Sequence, residues 1–485
     1  MKNLNDIIDL INNIIWSDVF IILCIGTGLY FSFVTKFLQV RFIKDMVTLL
    51  FNEESNDKGV SPFQAFSIAI AGRVGTGNIA GVATAIAMGG PGAVFWMWAI
   101  AFLGASTAFI EATLGQIYKV EVDGEYKGGP AYYIEKGLGV KWYAVLFAIA
   151  TIVGCLVFLP GVQSNSIADG MKNAFNIEPL YIGIIVAVLL ALVVFGGAKR
   201  IGRFSEIIVP FMAGAYILMA VVIIGFNISE IPSIFKLIFS SAFSFDSTFG
   251  GIVGSAISWG VKRGIYSNEA GQGTAPHAAA AAATSHPVKQ GLVQAFSVYI
   301  DTLFVCSATA FIILFTGKYN VKNPESLKTD NVTYIVENIP GVQEGAAFTQ
   351  HAVSTYFPSF GDQFIAIALF LFAFTTIMAY YFIAESNFYY LSNYKKNPII
   401  IWTMRVVFLI SVVFGAISSG GSVWAIGDIG VGLMAWLNII AIILLRKPAL
   451  KAFKDYQEQK AQGKDPVFDP VKLDIKNTSV WEDNK

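Results

Sequence analysis

The chain has 485 residues, of which 55% are hydrophobic and only 14% are charged. Soluble domains carry about 25% charged residues, so this composition excludes an ordinary soluble protein and indicates an integral membrane protein. The 33 basic and 33 acidic residues give a net charge of +0, which excludes a global field that would attract nucleic acid.

Long apolar runs predict helical membrane spans. Many of them are about 20 residues long, the length that a helix needs to cross a bilayer, whereas an outer-membrane barrel would show alternating segments of about ten residues. The fold class is therefore an all-α polytopic membrane protein. About eleven spans are predicted, at 13–35, 62–88, 92–118, 142–169, 179–196, 204–226, 248–283, 287–316, 361–390, 398–417 and 421–445.

The order of the spans predicts an internal repeat. Residues 1–61 hold one extra N-terminal helix and a loop, and the other ten spans divide into five within 62–226 and five within 248–445. Because five is an odd number, the second repeat crosses the membrane in the opposite direction to the first, as in inverted-repeat transporters. Residues 227–247 connect the repeats, and 317–360 form a long loop with a short surface helix.

Basic residues predict the orientation of the chain. They follow the first, third and fifth spans, and the positive-inside rule places such loops in the cytoplasm. The N-terminus, the connector and the long loop are therefore expected outside, and the tail 446–485 is expected inside as a helix with a disordered end. The first span follows acidic rather than basic residues, so a cleaved signal peptide is not expected. The basic residues include Lys36, Arg41, Lys44, Lys119, Lys127, Lys136, Lys199, Arg200 and Arg203.

Glycines interrupt the second span in the sequence GRVGTGNIAG, residues 72–81. Such a break frees backbone groups, which cost several kcal/mol in lipid unless a buried partner satisfies them. Amides near Thr76 and Gly77 would lie at a half-helix N-terminus, where a carboxylate is favoured. The alternative is a close-packing face formed by Gly77 and Gly81. Arg73 at the same depth favours a binding site, because charged residues inside a membrane are costly.

A second interruption lies in the seventh span, in the sequence GVKRGIYSNEAGQG at 260–273. Lys262, Arg263 and Glu269 bring charges into the bilayer, which again indicates function. Asn268, Glu269 and freed carbonyl groups could accept hydrogen bonds from an ammonium group. Because the two breaks occupy corresponding positions in the two repeats, together they predict a receptor for a zwitterion near the middle of the membrane.

Polar side chains in two further spans complete this predicted centre. Gln163 follows a Pro-Gly kink in the fourth span, and Thr375, Thr376 and Tyr380 lie in the ninth. Paired hydroxyls beside half-helix carbonyls suit a hard cation such as Na⁺. The alternative is that the threonine hydroxyls bond to carbonyls of their own helix.

Intramembrane acids are expected to form ion pairs that act as gates or structural locks. The acids considered are Glu111, Asp301 and Glu385, and the basic partners considered are Arg73, Lys262 and Arg263.

No nucleophile motif, metal-ligand set or nucleotide loop is apparent, so the protein is not expected to be an enzyme or to need a cofactor. An ion channel remains open as an alternative, as does an intramembrane enzyme that uses Glu269 with His277. The three cysteines fall in predicted spans without metal-ligand spacing and are expected to be buried.

Several of these motifs together resemble one transporter family. The segments GRVGTGNIAGVATAIAMGG, GGPAYYIEKGLG, GVKRGIYSNEAGQGTAPHAAAAA and FAFTTI, within about residues 15–447, are similar to the alanine or glycine:cation symporters. The resemblance implies a leucine-transporter-like fold, and import of alanine or glycine with Na⁺ by alternating access. It also implies a monomer in a bacterial or archaeal plasma membrane, with sodium as the co-transported ion.

The resemblance also assigns residues to roles. It implies that Thr76 and Gly77 bind the substrate carboxylate, that Gln163 and Asn268 bind the amine, and that Thr376 and Tyr380 enclose the side chain. Family members usually carry tryptophan where this chain has Tyr380, and the smaller ring leaves serine open as a substrate. Proton coupling is a separate alternative to sodium coupling. For sodium, the resemblance implies the carbonyls of Ala71, Val74 and Phe372 and the hydroxyls of Thr375 and Thr376.

Overall fold

The computed structural model describes residues 2–51, 58–245, 248–326, 332–395 and 397–482; parts of the predicted loops, the connector and the tail lie outside these ranges. Eight of the described helices are long and apolar enough to cross a bilayer, and shorter or broken helices complete the eleven predicted spans. The spans are numbered 1 to 11: Asp6–Val34, Pro62–Gly89, Gly92–Ile117, Lys141–Phe175, Pro179–Val194, Gly197–Phe226, Val253–Ala281, Pro287–Thr316, Gly361–Leu391, Pro398–Ile417 and Gly420–Leu444.

Prolines mark the start of several spans. Pro62, Pro179, Pro287 and Pro398 occupy the first turn of spans 2, 5, 8 and 10. A proline is favoured there because the first amides of a helix have no partner within it. At span 2 the start is reinforced by a capping box, in which Ser61 and the third residue of the helix exchange hydrogen bonds. These local signals help to fix where these four spans begin.

Two spans are discontinuous, as the glycine motifs predict. Span 2 consists of the α-helix Pro62–Arg73, a π-helical turn Gly77–Gly81 and the α-helix Val82–Gly89. Span 7 consists of Val253–Asn268 and Ala275–Ala281, separated by a turn. Span 3 packs along both halves of span 7 and along span 8, so the two interruptions are held close together in the interior.

Short elements cover the two ends of the bundle. The helix Ile231–Ala242 lies in the connector between the repeats. The long loop contains a hairpin of Asn320–Lys322 with Tyr334–Glu337, followed by the helix Ala346–Tyr356. A short helix is expected there, but it packs against the bundle, since Phe348, Ala352 and Val353 are buried. At the opposite end, a hairpin of Val120–Val122 with Glu125–Lys127 precedes the short helix Pro130–Tyr133.

The C-terminal tail differs from its expected form. The helix Arg446–Ala461 follows span 11 directly, as predicted. The expected disordered end is wrong for the described residues, because residues 462–482 pack against the bundle and finish in the short helix Ser479–Glu482. The buried rings of Phe468 and Trp481 stack edge to face at 5.2 Å, which gives an otherwise polar segment an apolar anchor. We call this end of the molecule the tail face.

His286 joins the tail helix to the start of span 8. Its Nδ1 accepts a hydrogen bond from the backbone N–H of Val288, and its Nε2 lies 3.4 Å from a carboxylate oxygen of Asp455. Burial lowers the pKa of His286 to about 4, and this effect exceeds the opposite effect of Asp455. Lys289 and Asp465 are the other charged groups that act on the ring.

We therefore predict acid sensitivity that originates at His286. Unfolding restores a pKa of about 6.5, so the unfolded chain binds a proton that the folded chain excludes. The contribution of neutral His286 is complete above that pH and is lost as the pH falls toward about 4. Melting temperatures between pH 7 and pH 5 should fall less for His286→Asn, which retains an N-cap acceptor. Equal slopes for the two proteins would contradict this prediction.

Candidate functional site

The first interruption frees two carbonyl groups in span 2. The backbone N–H of Gly75 donates to the side-chain oxygen of Asn78 at 2.8 Å, and the N–H of Asn78 donates to the carbonyl of Gly75 at 3.2 Å. These are the amides that would bond to the carbonyls of Ala71 and Val74 in a continuous α-helix. The break therefore leaves the oxygens of Ala71 and Val74 available to another group.

These freed oxygens converge on a hydroxyl of span 9. Oγ1 of Thr376 lies 2.8 Å from the carbonyl oxygen of Ala71, 3.3 Å from that of Val74 and 3.0 Å from that of Phe372. A hydroxyl has one proton, so it cannot donate to all three oxygens at once. The neighbouring hydroxyl of Thr375 also lies 2.9 Å from the Phe372 carbonyl. The structure thus brings together all five residues of the predicted sodium set, and their oxygens suit a hard cation.

The predicted substrate residues of spans 2, 4 and 9 also meet. The N–H of Thr76 donates to Oε1 of Gln163 at 2.9 Å. The side chain of Gln163 also interacts with the side chain of Tyr380. Both Thr76 and Tyr380 are buried. A backbone N–H at the start of a half-helix is a donor suited to a carboxylate, and here a neutral amide oxygen occupies that donor.

The second interruption faces the first. Gly77 packs so closely on span 7 that an added Cβ would lie 3.2 Å from the Cα of Ser267. Next to Ser267, Asn268 ends the first half of span 7, and its side-chain oxygen accepts from the N–H of Ala270 at 3.0 Å. Its Nδ2 is buried without a hydrogen-bond partner among the described residues. Asn268 therefore lies at the junction of the two breaks and has an unused hydrogen-bond donor, its side-chain Nδ2.

The turn after Asn268 requires unusual backbone conformations. Glu269 has φ +55°, and Gly271 and Gly273 have φ +82° and +86°. The glycines adopt this left-handed region readily. Glu269 accepts from the hydroxyl of Thr274 at 2.8 Å through one oxygen, and its other oxygen is buried without a partner in the described part of the chain.

Glu111 of span 3 holds this turn in place. Its carboxylate accepts from the N–H groups of Gly271 and Gly273 at 3.2 and 3.1 Å and from Nδ2 of Asn438 at 2.7 Å. The same Nδ2 donates to the carbonyl of Gly271 at 3.0 Å. Glu111 thus stabilises free backbone amides and makes no ion pair within 4.0 Å among the described residues. The expectation that Glu111 forms an ion pair is therefore wrong: its carboxylate instead binds backbone N–H groups of the second break.

Asp301 of span 8 links the two interruptions. Its carboxylate accepts from Nδ2 of Asn78 at 2.6 Å, from the hydroxyl of Ser267 at 3.0 Å and from the hydroxyl of Thr302 at 2.7 Å. Asn78 belongs to the first break and Ser267 to the second. Asp301 therefore acts as a shared acceptor for both breaks, and hydrogen bonds replace the expected pairing with a cation.

Arg73 lies fully buried beside span 8. Its Nη1 donates to the carbonyl of Gln294 at 3.1 Å and to the hydroxyl of Ser297, while Nε and Nη2 have no partner among the described residues. No carboxylate in the described part of the chain approaches it within 4.0 Å. The guanidinium nevertheless interacts electrostatically with Glu269, Glu111 and Asp301, so Arg73 supplies a buried positive charge that acts on these three buried acids.

Lys262 and Arg263 pair with an acid that the sequence analysis did not single out. Nζ of Lys262 lies 2.8 Å from Asp428 of span 11, and Nη2 of Arg263 lies 2.5 Å from each carboxylate oxygen of Asp428. The expected partners Glu111, Asp301 and Glu385 are too distant to form these pairs. The signal was present, because Asp428 is the single charged residue in the apolar run 421–445.

Aromatic rings surround the Arg263 guanidinium. Its carbon lies 5.4 Å from the ring centre of Trp259 and 5.0 Å from those of Tyr266 and Trp424. The rings of Tyr266 and Trp424 lie 5.2 Å apart, and Tyr266 directly precedes Ser267 of the second break. The ion pair and these rings together close the interior on the side opposite the tail face.

The opposite path, toward the tail face, is closed by spans 7 and 9. Nε2 of His277 lies 2.8 Å from Nδ2 of Asn387, and the hydroxyl of Tyr132 donates to the carbonyl of Ser386 at 2.7 Å. The Ser386 hydroxyl in turn donates to the carbonyl of Gly128 at 3.1 Å. The polar centre is therefore enclosed from both ends of the bundle.

Comparison with known proteins gives a consistent result. A family model described as the sodium:alanine symporter family matches residues 1–470. The Bacillus subtilis (strain 168) protein YrbD, whose name refers to a sodium/proton-dependent alanine carrier, is 58% identical over 98% of this chain and 97% of its own. GlnT of the same strain, whose name refers to a sodium/glutamine symporter, is 44% identical over 96% of this chain and 93% of its own.

A solved structure supports the fold. The chain matches a Na⁺-coupled sialic acid symporter in a substrate-bound, outward-open state with a TM-score of 0.51. The identity is 13%, and the match covers 97% of this chain and 96% of that one. This likeness confirms the predicted leucine-transporter-like fold.

Substitution of Gly75 should disrupt the oxygen cluster. An added Cβ would lie 2.5 Å from Oγ1 of Thr376 and 3.0 Å from Oε1 of Gln163. Gly81 is a matched control, because its added Cβ meets no atom closer than 3.8 Å. We expect that sodium, compared with choline, will raise the melting temperature of the unchanged protein and of Gly81→Ala, and that it will not raise the melting temperature of Gly75→Ala. A full sodium effect in Gly75→Ala would contradict the assignment of this cluster.

Removal of Asp428 should destabilise the protein through its unpaired cations. Loss of one partner of a buried ion pair costs about 3–5 kcal/mol, because the remaining charge is left uncompensated. We expect Asp428→Asn to unfold at a lower temperature, and the double variant Asp428→Asn with Arg263→Gln to recover part of the loss. Thermal unfolding in detergent measures both effects. A double variant no more stable than Asp428→Asn would show that the charges are not coupled.

Proposed function

The chain belongs to the sodium:alanine symporter family, and on this premise we propose that it imports a small neutral amino acid together with Na⁺ by alternating access. Alanine and glycine are the proposed substrates. The members of this family and the matching solved structure are transporters rather than enzymes. The single observation that carries the proposal is the convergence of the carbonyls of Ala71 and Val74 on the hydroxyl of Thr376.

This convergence supports coupling because one short segment serves both proposed ligands. The carbonyls of Ala71 and Val74 face the cation position, and the amide of Thr76, two residues later, faces Gln163. A cation that holds these carbonyls would fix the conformation of the break and thereby position the amide for a carboxylate. Sodium binding then lowers the conformational cost of amino-acid binding, and linkage requires the reverse effect to be equal.

We propose the following roles for the substrate residues. The amides of Thr76 and Gly77 bind the carboxylate, which displaces the Gln163 oxygen from Thr76. The side-chain oxygens of Gln163 and Asn268 then accept hydrogen bonds from the ammonium group, and the unpaired Oε1 of Glu269 is a further acceptor beside them. Thr376 and Tyr380 enclose the substrate side chain.

Five residues form the proposed sodium site, which needs no titrating carboxylate. Its ligands are oxygens of Ala71, Val74, Phe372, Thr375 and Thr376. Sodium is favoured over a proton because carbonyls and hydroxyls do not bind protons near neutral pH. Proton coupling remains the alternative, since the name of YrbD refers to both ions.

A membrane potential would supply adequate energy. One positive charge that crosses roughly 100 mV releases about 2.3 kcal/mol, which corresponds to roughly fifty-fold accumulation before the sodium gradient is counted. One sodium ion for each amino acid is therefore sufficient. The ion pairs of Asp428 with Lys262 and Arg263 would act as the gate on the side opposite the tail face, and Arg73, Glu111, Glu269 and Asp301 would hold the breaks together.

The domain organisation follows from this mechanism. We propose that residues 62–226 and 248–445 are the two inverted repeats, with 1–61 as the extra N-terminal helix and loop, 227–247 and 317–360 outside, and 446–485 inside. A bundle of spans 2, 3, 7 and 8 rocks against the other spans. The tail face would be cytoplasmic in a bacterial or archaeal plasma membrane, and the transporter would act as a monomer.

Uptake into proteoliposomes tests this function. Labelled alanine is supplied with an inward gradient of Na⁺, K⁺ or H⁺, and unlabelled glycine, serine, D-alanine and glutamine are added as competitors. We expect uptake that requires Na⁺ and that falls with glycine. Uptake driven by H⁺ without Na⁺ would establish proton coupling instead. Competition by glutamine and by none of the other amino acids would indicate that the substrate is glutamine, the amino acid in the name of GlnT.

Thr376 provides a sharper test of the sodium site. Thr376→Ala removes the hydroxyl shared by three carbonyls, whereas Thr376→Ser keeps it. We expect the sodium concentration for half-maximal uptake to rise about tenfold in Thr376→Ala, the effect of one lost ligand of about 1.4 kcal/mol, and to change little in Thr376→Ser. The same sodium dependence in both variants would remove Thr376 from the site.

A further inference from the structure

The tail forms a strap across the tail face. After the helix Arg446–Ala461 the chain turns back at Gly463, which has φ +73°. Residues 464–482, which we call the strap, then cross the ends of several spans before the short helix Ser479–Glu482. Their contacts include directed hydrogen bonds, ion pairs and the packed rings of Phe468 and Trp481, which indicates a defined docked position.

The first attachment of the strap is at the start of span 8. The N–H of Phe468 donates to the carbonyl of Ser285 at 3.0 Å, and the Ser285 hydroxyl donates to the carbonyl of Pro466 at 3.0 Å. Nζ of Lys289 lies 2.8 Å from a carboxylate oxygen of Asp465. Lys289 is 4% exposed, so the side chain is directed at the strap and away from solvent.

The second attachment is at the end of span 3. Nε1 of Trp481 donates to the carbonyl of Gln116 at 2.9 Å, and Nζ of Lys119 lies 4.9 Å from the ring centre of Trp481. The same two residues hold the end of span 7, because Nε2 of Gln116 and Nζ of Lys119 each donate to the carbonyl of Ala282 at 3.0 Å. Trp481 therefore covers the residues that fix the half-helix beyond the second break.

The third attachment is just before span 4. Nδ2 of Asn477 donates to the carbonyl of Lys136 at 2.9 Å, and Nζ of Lys136 donates to the hydroxyl of Ser479 at 2.9 Å. Lys136 belongs to the segment that leads into span 4, which lies outside the proposed rocking bundle. Spans 3, 7 and 8 lie inside it. The strap therefore joins the moving part of the protein to the stationary part on one face.

We propose that residues 464–482 act as a conformational strap that holds the tail face closed and must loosen before the binding site opens there. This inference rests on the proposed alternating access. Separation of spans 3, 7 and 8 from the start of span 4 would stretch the chain between Phe468, Trp481 and Asn477. Loss of any one attachment should therefore make opening on the tail face more frequent, with no change in the residues of the site.

Accessibility of Ser386 reports this opening without any transport measurement. Ser386 lies between the site and the tail face and is buried under Gly128 and Tyr132. The Ser386→Cys reporter is placed in a chain whose three native cysteines, all buried, are replaced by alanine. A membrane-impermeant maleimide is then added to the tail-face side of oriented vesicles.

Two strap variants are compared with a matched control. Trp481→Ala removes one anchor, and a chain that ends at Gly463 lacks the strap. Trp142→Ala is the control, because Trp142 begins span 4 on the same face, is 71% exposed and makes no hydrogen bond or ring contact with the described residues of the strap. We expect Ser386→Cys to react about tenfold faster with Trp481→Ala, as one lost anchor of about 1.4 kcal/mol implies. In the chain that ends at Gly463 the reaction should be faster still, and with Trp142→Ala it should keep its original rate. Unchanged reaction in correctly folded strap variants would overturn the proposal.

A reversible cross-link tests the opposite direction. The contact of Ser285 with Pro466 places residue 467 beside Ser285, so Ser285→Cys with Val467→Cys should form a disulfide on oxidation. We expect the locked strap to slow both reporter reaction and alanine uptake, and a reductant to restore both. Full uptake with the disulfide formed would overturn the strap while the proposed function stands. If the disulfide slows the reporter reaction in a protein that does not transport alanine, the strap proposal stands and the proposed substrate is wrong.

Discussion

A polar backbone group without a partner costs several kcal/mol inside a bilayer, and the two broken spans each expose several such groups. The structure resolves this cost by placing the breaks against each other. Asn78 and Ser267, one from each break, share the Asp301 carboxylate, and Glu111 accepts the free amides of Gly271 and Gly273. Because the two interruptions share these acceptors, the central site and the packing of spans 2, 3, 7 and 8 form one structural unit.

The buried charges fall into two regions with different kinds of contact. Near the breaks, the acids bind uncharged donors, and the Arg73 guanidinium lies among them without forming a close pair. Farther out, Lys262 and Arg263 converge on Asp428 between aromatic rings. Directed hydrogen bonds hold a fixed geometry at the centre, whereas a compact charge cluster between spans 7 and 11 can separate as a whole when those spans move.

Much of the architecture was predictable because the bilayer restricts the solutions. The predicted limits of span 9, 361–390, agree with the helix Gly361–Leu391, since a spanning helix needs an uninterrupted apolar run. The glycines likewise located both breaks. Tertiary partners were not predictable: nothing in the spacing joins Asp428 to Arg263, and the polar composition of the tail concealed the anchor at Trp481. The meeting of Ala71 and Thr376 was expected from the family resemblance and not from the residues alone.

The hydrogen bond from Thr76 to Gln163 has a further consequence for affinity. A carboxylate that binds this amide exchanges one acceptor for another, so the observed affinity reports a difference between two bonded states. A built-in competitor of this kind weakens retention of the ligand and speeds its departure. Under the proposed mechanism, the Gln163 side chain would therefore favour rapid release of the ligand over tight binding.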